Sequence, residues 1–243
     1  MKPKAIFVCG PAGSGKSTLS NKICDIPVNK LTEINVDLTY ESILKSKLGN
    51  LNISEYNSEQ RSIAASAMQE ARKWVIELEN NEIEFGGDVL LDGTGGSSKV
   101  ILEKKAKFEA AGYETMMIMV WCEPEMCLLR NHNRNRRLKP SVVIRNWKDV
   151  NINFSIYALE FDKFYTLEGC KPLPHKYNRE SIKRQFFDSL TFEGIDRSLE
   201  EVKLKEEEMD EIHSYLETYQ TYNHCYAISE ESVLDAVKDF LNE

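Results

Sequence analysis

The chain has 243 residues, 42% of them hydrophobic, which suits one α/β core with a small appendage and is too short for two nucleotide-binding domains. Its formal net charge of −8 argues against a globally basic nucleic-acid-binding protein but does not exclude a local basic channel. The six cysteines form no C-x-x-C pair, and no apolar run suits a signal peptide or a membrane span. We therefore expect a single cytoplasmic domain over residues 1–243.

The first element is a short apolar run at residues 5–9, which predicts a buried strand. Residues 10–17 follow it and fit the phosphate-loop pattern G-x-x-x-x-G-K-[ST], and residues 18–23 continue with helical character. The glycines let backbone N–H groups approach phosphates, Lys16 supplies charge for the β- and γ-phosphates, and the Ser17 hydroxyl suits Mg²⁺. We predict that ATP and Mg²⁺ bind here, through Gly10, Ala12, Gly13, Ser14, Gly15, Lys16, Ser17 and Thr18.

Two acidic residues come directly after predicted strands. Residues 31–36 alternate as a strand should and lead to Asp37, and residues 88–92 form a short apolar strand that ends on Asp92. Parallel α/β sheets bind ligands at the carboxyl ends of their strands, so we expect both acids near the phosphate loop. The alternative role of Asp37 is a helix N-cap, and that of Asp92 is a tight strand-to-helix turn.

The turn after Asp92 reads Gly93-Thr94-Gly95-Gly96, and its glycines would let a substrate approach the backbone closely. Asp92 itself is placed like the magnesium-associated aspartate of phosphate-loop enzymes. Hydrolytic enzymes of this kind usually have a glutamate directly after that aspartate to orient water, whereas this chain has Gly93. The turn therefore favours a kinase over an ATPase.

The densest positive segment is residues 130–139, after a predicted fourth strand at residues 113–121. A charge run is usually a solvated surface. In a phosphate-loop protein, however, a mobile arginine segment can close over the triphosphate and neutralise charge during transfer. We therefore predict a lid at about residues 130–140, whose phosphate-contacting residues are Arg130, Arg134, Arg136 and Arg137.

The last third of the chain completes the predicted fold. Residues 141–165 carry apolar and aromatic side chains at every third or fourth position, which predicts one helix that docks the lid on the core. Weak periodicity and then a charged helical pattern predict an insertion at about residues 169–222, before a short strand at residues 226–228. The predicted class is α/β, a P-loop NTPase-type three-layer fold with a mainly parallel five-stranded sheet, an arginine-rich lid and a helical C-terminal insertion.

Together, the phosphate loop, residues 34–37, residues 91–94 and the arginine segment resemble the P-loop kinase group that contains polynucleotide 5′-kinases and zeta-toxin-like kinases, over about residues 4 to 165. The resemblance implies that Asp37 is the general base. It also implies catalytic lid arginines, a metal site and acceptor contacts. The catalytic arginines are Arg130 and Arg134, the metal ligands are Ser17 and Asp92, and the acceptor contacts are Tyr40, Asp92, Thr94 and Gly95.

One departure from the group concerns the acceptor. Many members have an arginine shortly after the base, which holds an acceptor phosphate or sugar, whereas Leu38-Thr39-Tyr40 follows Asp37 here. We expect transfer of the γ-phosphoryl group of ATP to a hydroxyl, and a flexible cationic segment favours a nucleic-acid acceptor, either a 5′-OH end or a hydroxymethylpyrimidine of DNA. The alternatives are a zeta-toxin-like kinase of a nucleotide sugar or other small molecule, and a nucleotide-dependent switch or ATPase.

Overall fold

The computed structural model describes residues 2–27, 31–122, 124–168 and 227–243. The strands of this part are β1 Lys4–Cys9, β2 Thr32–Asn35, β3 Val89–Gly93, β4 Glu114–Trp121, β5 Lys163–Glu168 and β6 Ala227–Ile228. The helices are α1 Lys16–Cys24, α2 Val36–Leu48, α3 Ser58–Phe85, α4 Ser98–Ala110, α5 Pro124–His132, α6 Pro140–Ile152, α7 Phe154–Glu160 and α8 Glu230–Asn242, with a short 3₁₀ turn at Ile53–Glu55. Among these helices, none is both long enough and apolar enough to cross a membrane.

The described strands form one parallel sheet in the order β2-β3-β1-β4-β5-β6. All six residues of β1 are buried, because this strand lies between β3 and β4 and is covered on both faces. Val8 of β1 is aligned with Asp92 of β3 and with Ile118 of β4, and Asn35 of β2 is aligned with Asp92. The carboxyl ends of β1, β2 and β3 therefore meet at one edge of the sheet.

Helices cover the sheet on both faces, and β1 contributes alternate residues to the two cores. One core joins Ile6 and Val8 to α1 and α8 through Leu19, Ile23, Val233, Val237 and Phe240. The other joins Phe7 to the helices of the opposite face and the segment after them, through Val75, Phe108, Tyr157 and Phe161. This arrangement confirms the predicted three-layer α/β fold.

The segment predicted as a single helix over residues 141–165 contains two helices and the start of a strand. Helix α6 ends at Ile152, α7 begins at Phe154, and β5 begins at Lys163. Apolar spacing did not reveal the change because Phe161 and Phe164 fit a helical period as well as a buried strand. The sheet consequently has six strands in the described part rather than the predicted five. The predicted insertion at residues 169–222 lies outside the described residues.

Candidate active site

The phosphate loop connects β1 to α1 and is shaped by glycines with positive φ. Gly13 has a φ of 87°, and Gly15, which caps the N-terminus of α1, has a φ of 107°. Ala12, Gly13 and Ser14 are buried, whereas Ser17 is exposed at the start of α1. The N-terminal end of a helix attracts anions, so the loop and the start of α1 together are the candidate phosphate site.

Lys16 lies at the centre of the site. Its Nζ donates a hydrogen bond to the Pro11 carbonyl oxygen at 3.1 Å. Burial lowers the pKa of Lys16, and the nearby carboxylates of Asp92 and Asp37 oppose this effect. Lys16 is thus within electrostatic reach of both acids that were predicted to act beside the loop. The positive charge of Arg134, which is exposed in the lid segment, also lowers the pKa of Lys16.

Asp92, at the end of β3, is fixed by two hydrogen bonds. Its Oδ2 accepts from the Ser20 hydroxyl of α1 at 3.1 Å and from the Asn35 amide at 3.3 Å. Burial raises the pKa of Asp92 from 3.8 to about 6, against the lowering effects of Lys16 and the Ser20 hydrogen bond. Both hydrogen bonds end on Oδ2, and no group of the described residues donates a hydrogen bond to Oδ1.

Asp37 lies in the first turn of α2. The prediction that it lies at the end of the preceding strand is therefore wrong. The N-cap is Asn35, whose Oδ1 accepts from the backbone N–H groups of Asp37 at 2.9 Å and Leu38 at 3.4 Å. The Asp37 side chain is 54% exposed. Asn35 therefore joins the two acids, because its amide nitrogen holds Asp92 while its amide oxygen holds the backbone of Asp37.

Arg136 lies against α2 instead of standing alone in a lid. Its guanidinium binds Asp37 through two contacts, Nη2 to Oδ2 at 2.8 Å and Nη1 to Oδ1 at 3.1 Å, and its Nε contacts Glu41 Oε1 at 2.8 Å. The guanidinium also lies 5.9 Å from the centre of the Tyr40 ring. With a side chain only 13% exposed, Arg136 does not belong to a solvated surface, and it forms part of the wall around Asp37.

The predicted lid, residues 130–140, consists of the end of α5, the connection at residues 133–139 and the first residue of α6. Asn131 closes this segment into a loop, because its amide donates to the Leu138 carbonyl at 2.8 Å and accepts from the Leu138 N–H at 3.0 Å. Arg130 donates to carbonyls of the phosphate loop. The arginines therefore divide into Arg130 at the phosphate loop, Arg136 at α2, and Arg134 on the exposed part of the loop.

The turn after Asp92 is attached to both the phosphate loop and α7. The Gly10 N–H donates to the Thr94 carbonyl at 3.1 Å, and the Tyr157 hydroxyl donates to the Gly95 carbonyl at 2.6 Å. The amide of Asn153 also donates to the Gly95 carbonyl, at 3.3 Å. Gly95 is buried beneath these side chains, whereas Thr94 is exposed, so Thr94 is the better placed of the two predicted acceptor contacts.

Comparison with known proteins shows the family of the chain. A model of the zeta toxin family matches residues 1–160, more than half of the chain. The chain belongs to the zeta toxin family. As a member of this family of P-loop kinases, it is a phosphotransferase with a hydroxyl acceptor.

No curated protein sequence matches the chain, but its fold is similar to that of a solved structure. A structure from the PezAT chromosomal toxin–antitoxin system of Streptococcus pneumoniae has a TM-score of 0.51 and 15% identity, and the match covers 89% of this chain and 87% of that one. A putative kinase from Chloroflexus aurantiacus has a TM-score of 0.48 and 14% identity, covering 77% and 98% respectively.

Sequence reasoning missed several residues at the site of this zeta toxin family member. Asn35 was missed as the N-cap of α2 because it lies inside the predicted strand at residues 31–36, although asparagine is a favoured N-cap. Glu41 follows Asp37 by four residues and so shares its helix face. Ser20 and Tyr157 carry no local signal, because their roles depend on contacts with Asp92 and Gly95 that are distant in the sequence.

The stability of this family member should depend on the glycine at position 95 of the turn but not on the glycine at position 93. Gly95 has a φ of 72°, and a Cβ built there would lie 2.9 Å from Cys9 Cβ, whereas a Cβ at Gly93 meets nothing within 4 Å. We expect Gly95→Ala to lower the free energy of unfolding by about 2–4 kcal/mol, because the strained backbone and the overlap both cost energy. Urea unfolding of Gly95→Ala and Gly93→Ala checks this, and equal losses would contradict it.

The partly buried carboxylate of Asp92 should lower the stability of the protein at neutral pH. A carboxyl group whose pKa is raised by folding makes the protein less stable as the pH rises from 3.8 to about 6, because the folded state holds the proton more tightly. We expect Asp92→Asn to raise the free energy of unfolding at pH 8 by up to about 3 kcal/mol. The advantage should fade as the pH falls towards 4.

The measurement is thermal or urea unfolding of both proteins between pH 4 and pH 8, with chelator present to remove divalent cations. Asp239→Asn, the same change at an exposed position in α8, is the control. A stability difference that stays constant across this range would contradict the prediction.

Proposed function

We propose that the protein transfers the γ-phosphoryl group of ATP, with Mg²⁺, to a hydroxyl of an acceptor bound against α2. The observation that carries the proposal is the set of hydrogen bonds that places both acids beside the phosphate-loop helix: Asp92 accepts from Ser20 of α1 and from Asn35, and Asn35 accepts from the Asp37 N–H. Donor phosphates on the loop and an acceptor hydroxyl at Asp37 would then meet in one cleft. Phosphoryl transfer depends mainly on such positioning and on neutralising the charge of the transferred group.

The residues at the loop fit a magnesium ion. Mg²⁺ is usually bound by one or two carboxylates together with phosphate oxygens and water, so it does not need a cage of protein ligands. Among the described residues no group of three or more His, Cys, Asp or Glu side chains could hold a metal. Asp92 Oδ1 and the exposed Ser17 hydroxyl would be the protein ligands. When bound, the ion would neutralise charge on the β- and γ-phosphates.

The protein side chains divide the remaining work. Lys16 would hold the phosphates, and Arg134 and Arg137 would neutralise the charge of the transferred group. Asp37 would take the proton of the acceptor hydroxyl, which requires that at least one of its oxygens leaves the contact with Arg136. Arg136 would then hold the acceptor side of the cleft, where the sequence lacks the arginine that many related kinases place after the base.

We propose a small molecule with several hydroxyl groups, such as a nucleotide sugar, as the acceptor. Arg136 is already paired with two carboxylates, Asp37 and Glu41, so this wall carries a net negative charge. Such a wall repels the many phosphates of a nucleic acid more strongly than the two phosphates of a nucleotide sugar, and it offers hydrogen-bond acceptors and donors for hydroxyl groups. A nucleic-acid hydroxyl is the second candidate, and the exposed Arg134 and Lys139 of the lid support it.

The test is transfer of radiolabelled γ-phosphate from ATP to UDP-sugars, nucleosides, free sugars, and DNA or RNA with 5′-OH ends. We expect label in a small hydroxylated acceptor, dependent on Mg²⁺ and absent with Lys16→Ala protein purified in parallel, which excludes a contaminating kinase. Label in nucleic acid alone would mean that the acceptor is a nucleic-acid hydroxyl and not a small molecule. ADP release that no acceptor stimulates would overturn both and indicate a nucleotide-dependent switch or ATPase.

A further inference from the structure

Arg130, in the last turn of α5, contacts the back of the phosphate loop. Its Nη1 donates to the Gly13 carbonyl at 3.1 Å and to the Ser14 carbonyl at 3.0 Å, and it lies 3.7 Å from the Cys122 sulfur. We propose that Arg130 is a positioning residue that holds the loop in its phosphate-binding shape, and not a lid arginine that touches the transferred group. The inference rests on the nucleotide site of the proposed function.

The two carbonyls matter because each belongs to a peptide group of the loop. The Ser14 carbonyl is in the same planar peptide as the Gly15 N–H, and the two groups point in opposite directions. A donor that fixes the carbonyl therefore also fixes the direction of the N–H, which is the group that binds phosphate in such loops. Buried carbonyls need a hydrogen-bond partner, and Gly13 and Ser14 are both buried.

The position of Arg130 is determined by the packing of α5 directly behind the loop. A Cβ at Gly13 would lie 2.5 Å from the Cys127 carbonyl oxygen, so the helix backbone and the loop are in close contact. Cys127 and Leu128 share an apolar cluster with Ala12 of the loop. A guanidinium attached to this helix is part of the wall of the loop, whereas Arg134 lies beyond the end of the helix and is exposed.

The test compares Arg130→Met, which keeps a long apolar side chain, with Arg145→Met at an exposed position of α6. Three quantities are measured: amide hydrogen exchange of residues 12–16 without nucleotide, the dissociation constants of ADP and ATP, and kcat. For Arg130→Met we expect loop exchange to be faster by about tenfold or more, and ADP and ATP affinity to fall together by about 10- to 100-fold, the value of a charged hydrogen-bond donor. Arg145→Met should match the wild type.

A residue that only touches the γ-phosphoryl group would behave differently. Unchanged loop exchange and unchanged ADP affinity, with a collapse of kcat, would overturn the inference and make Arg130 a catalytic residue. Amide hydrogen exchange in β4 distinguishes a local effect on the loop from general destabilisation. If exchange in β4 is accelerated as much as exchange in the loop, the inference is also overturned. If Arg130→Met does not fold, Arg130→Lys, which keeps the charge and a donor, provides the same comparison with smaller changes.

The exchange measurement needs no nucleotide and no acceptor, so it is independent of the proposed reaction. A wild-type protein that binds neither ADP nor ATP would refute the proposed function, while the exchange result would still decide whether Arg130 holds the loop.

Discussion

Lys16→Ala should lower phosphoryl transfer by about a thousandfold or more and leave the fold intact. The lysine is the cation of the phosphate loop, and removing a preorganised charge that acts on a developing anion typically has an effect of this size. In the structure its Nζ makes one described hydrogen bond, to the Pro11 carbonyl, so its loss should change the free energy of unfolding by only about 1 kcal/mol. Transfer of labelled γ-phosphate and urea unfolding measure the two effects.

The matched control is Lys22→Ala, on the same helix but more exposed, where the lysine pairs with Glu230. Surface ion pairs contribute little, so this variant should transfer phosphate at the wild-type rate and lose less than about 1 kcal/mol of stability. A folded Lys16→Ala protein with near-normal turnover would refute the role of Lys16 in transfer.

Asp37→Asn should lower kcat by about 100- to 10,000-fold, with little change in the midpoints for ATP and Mg²⁺. Asparagine keeps the size of the side chain but cannot accept the acceptor's proton, and general-base catalysis contributes about this much. Asp92→Asn should behave differently, by raising the Mg²⁺ or acceptor concentration that gives half-maximal rate. The measurement is initial rates at saturating ATP, with magnesium and acceptor varied separately.

The contact with Arg136 calls for a control, because Asp37→Asn also removes an ion pair. If Asp37 is the base, Asp37→Asn should lower kcat by the same factor in the wild type and in the Arg136→Met variant. If Asp37 only anchors Arg136, the double variant should be no slower than Arg136→Met alone. A shifted magnesium midpoint in Asp37→Asn, with unmoved midpoints in Asp92→Asn, would mean that the two acids have the opposite roles.

Local patterns were sufficient for the phosphate loop and for the fold class. The motif at residues 10–17 and the glycines after Asp92 depend on neighbours in the sequence, and each lies where it was predicted. The strand that carries Asp92 spans residues 89–93 instead of the predicted 88–92. Asp37 was placed one element too early because Val36 continues the strand's apolar alternation. In the structure Asn35 is the N-cap and α2 begins at Val36, but the apolar alternation of residues 34 and 36 predicted that the strand continues there.

The roles of the arginines could not be read from the sequence. Nothing local distinguishes Arg130 from Arg134 or Arg136 in a run of positive charge. Their partners are the carbonyls of Gly13 and Ser14 for Arg130, and Asp37 and Glu41 for Arg136, all roughly a hundred residues earlier in the chain. Only the packing of α5 behind the loop and the closure of the following segment by Asn131 bring these groups together.

The order of strands in the sheet also bears on when the protein can bind a nucleotide during its synthesis. The strand that carries the phosphate loop pairs with β3 and β4 and not with β2, so neither neighbour exists until residues 89–93 and 114–121 have left the ribosome. Helix α5, which supports the loop from behind, emerges later still. A nascent chain that ends soon after the motif at residues 10–17 therefore lacks both partner strands of β1. The candidate active site can assemble only after more than half of the chain has been made.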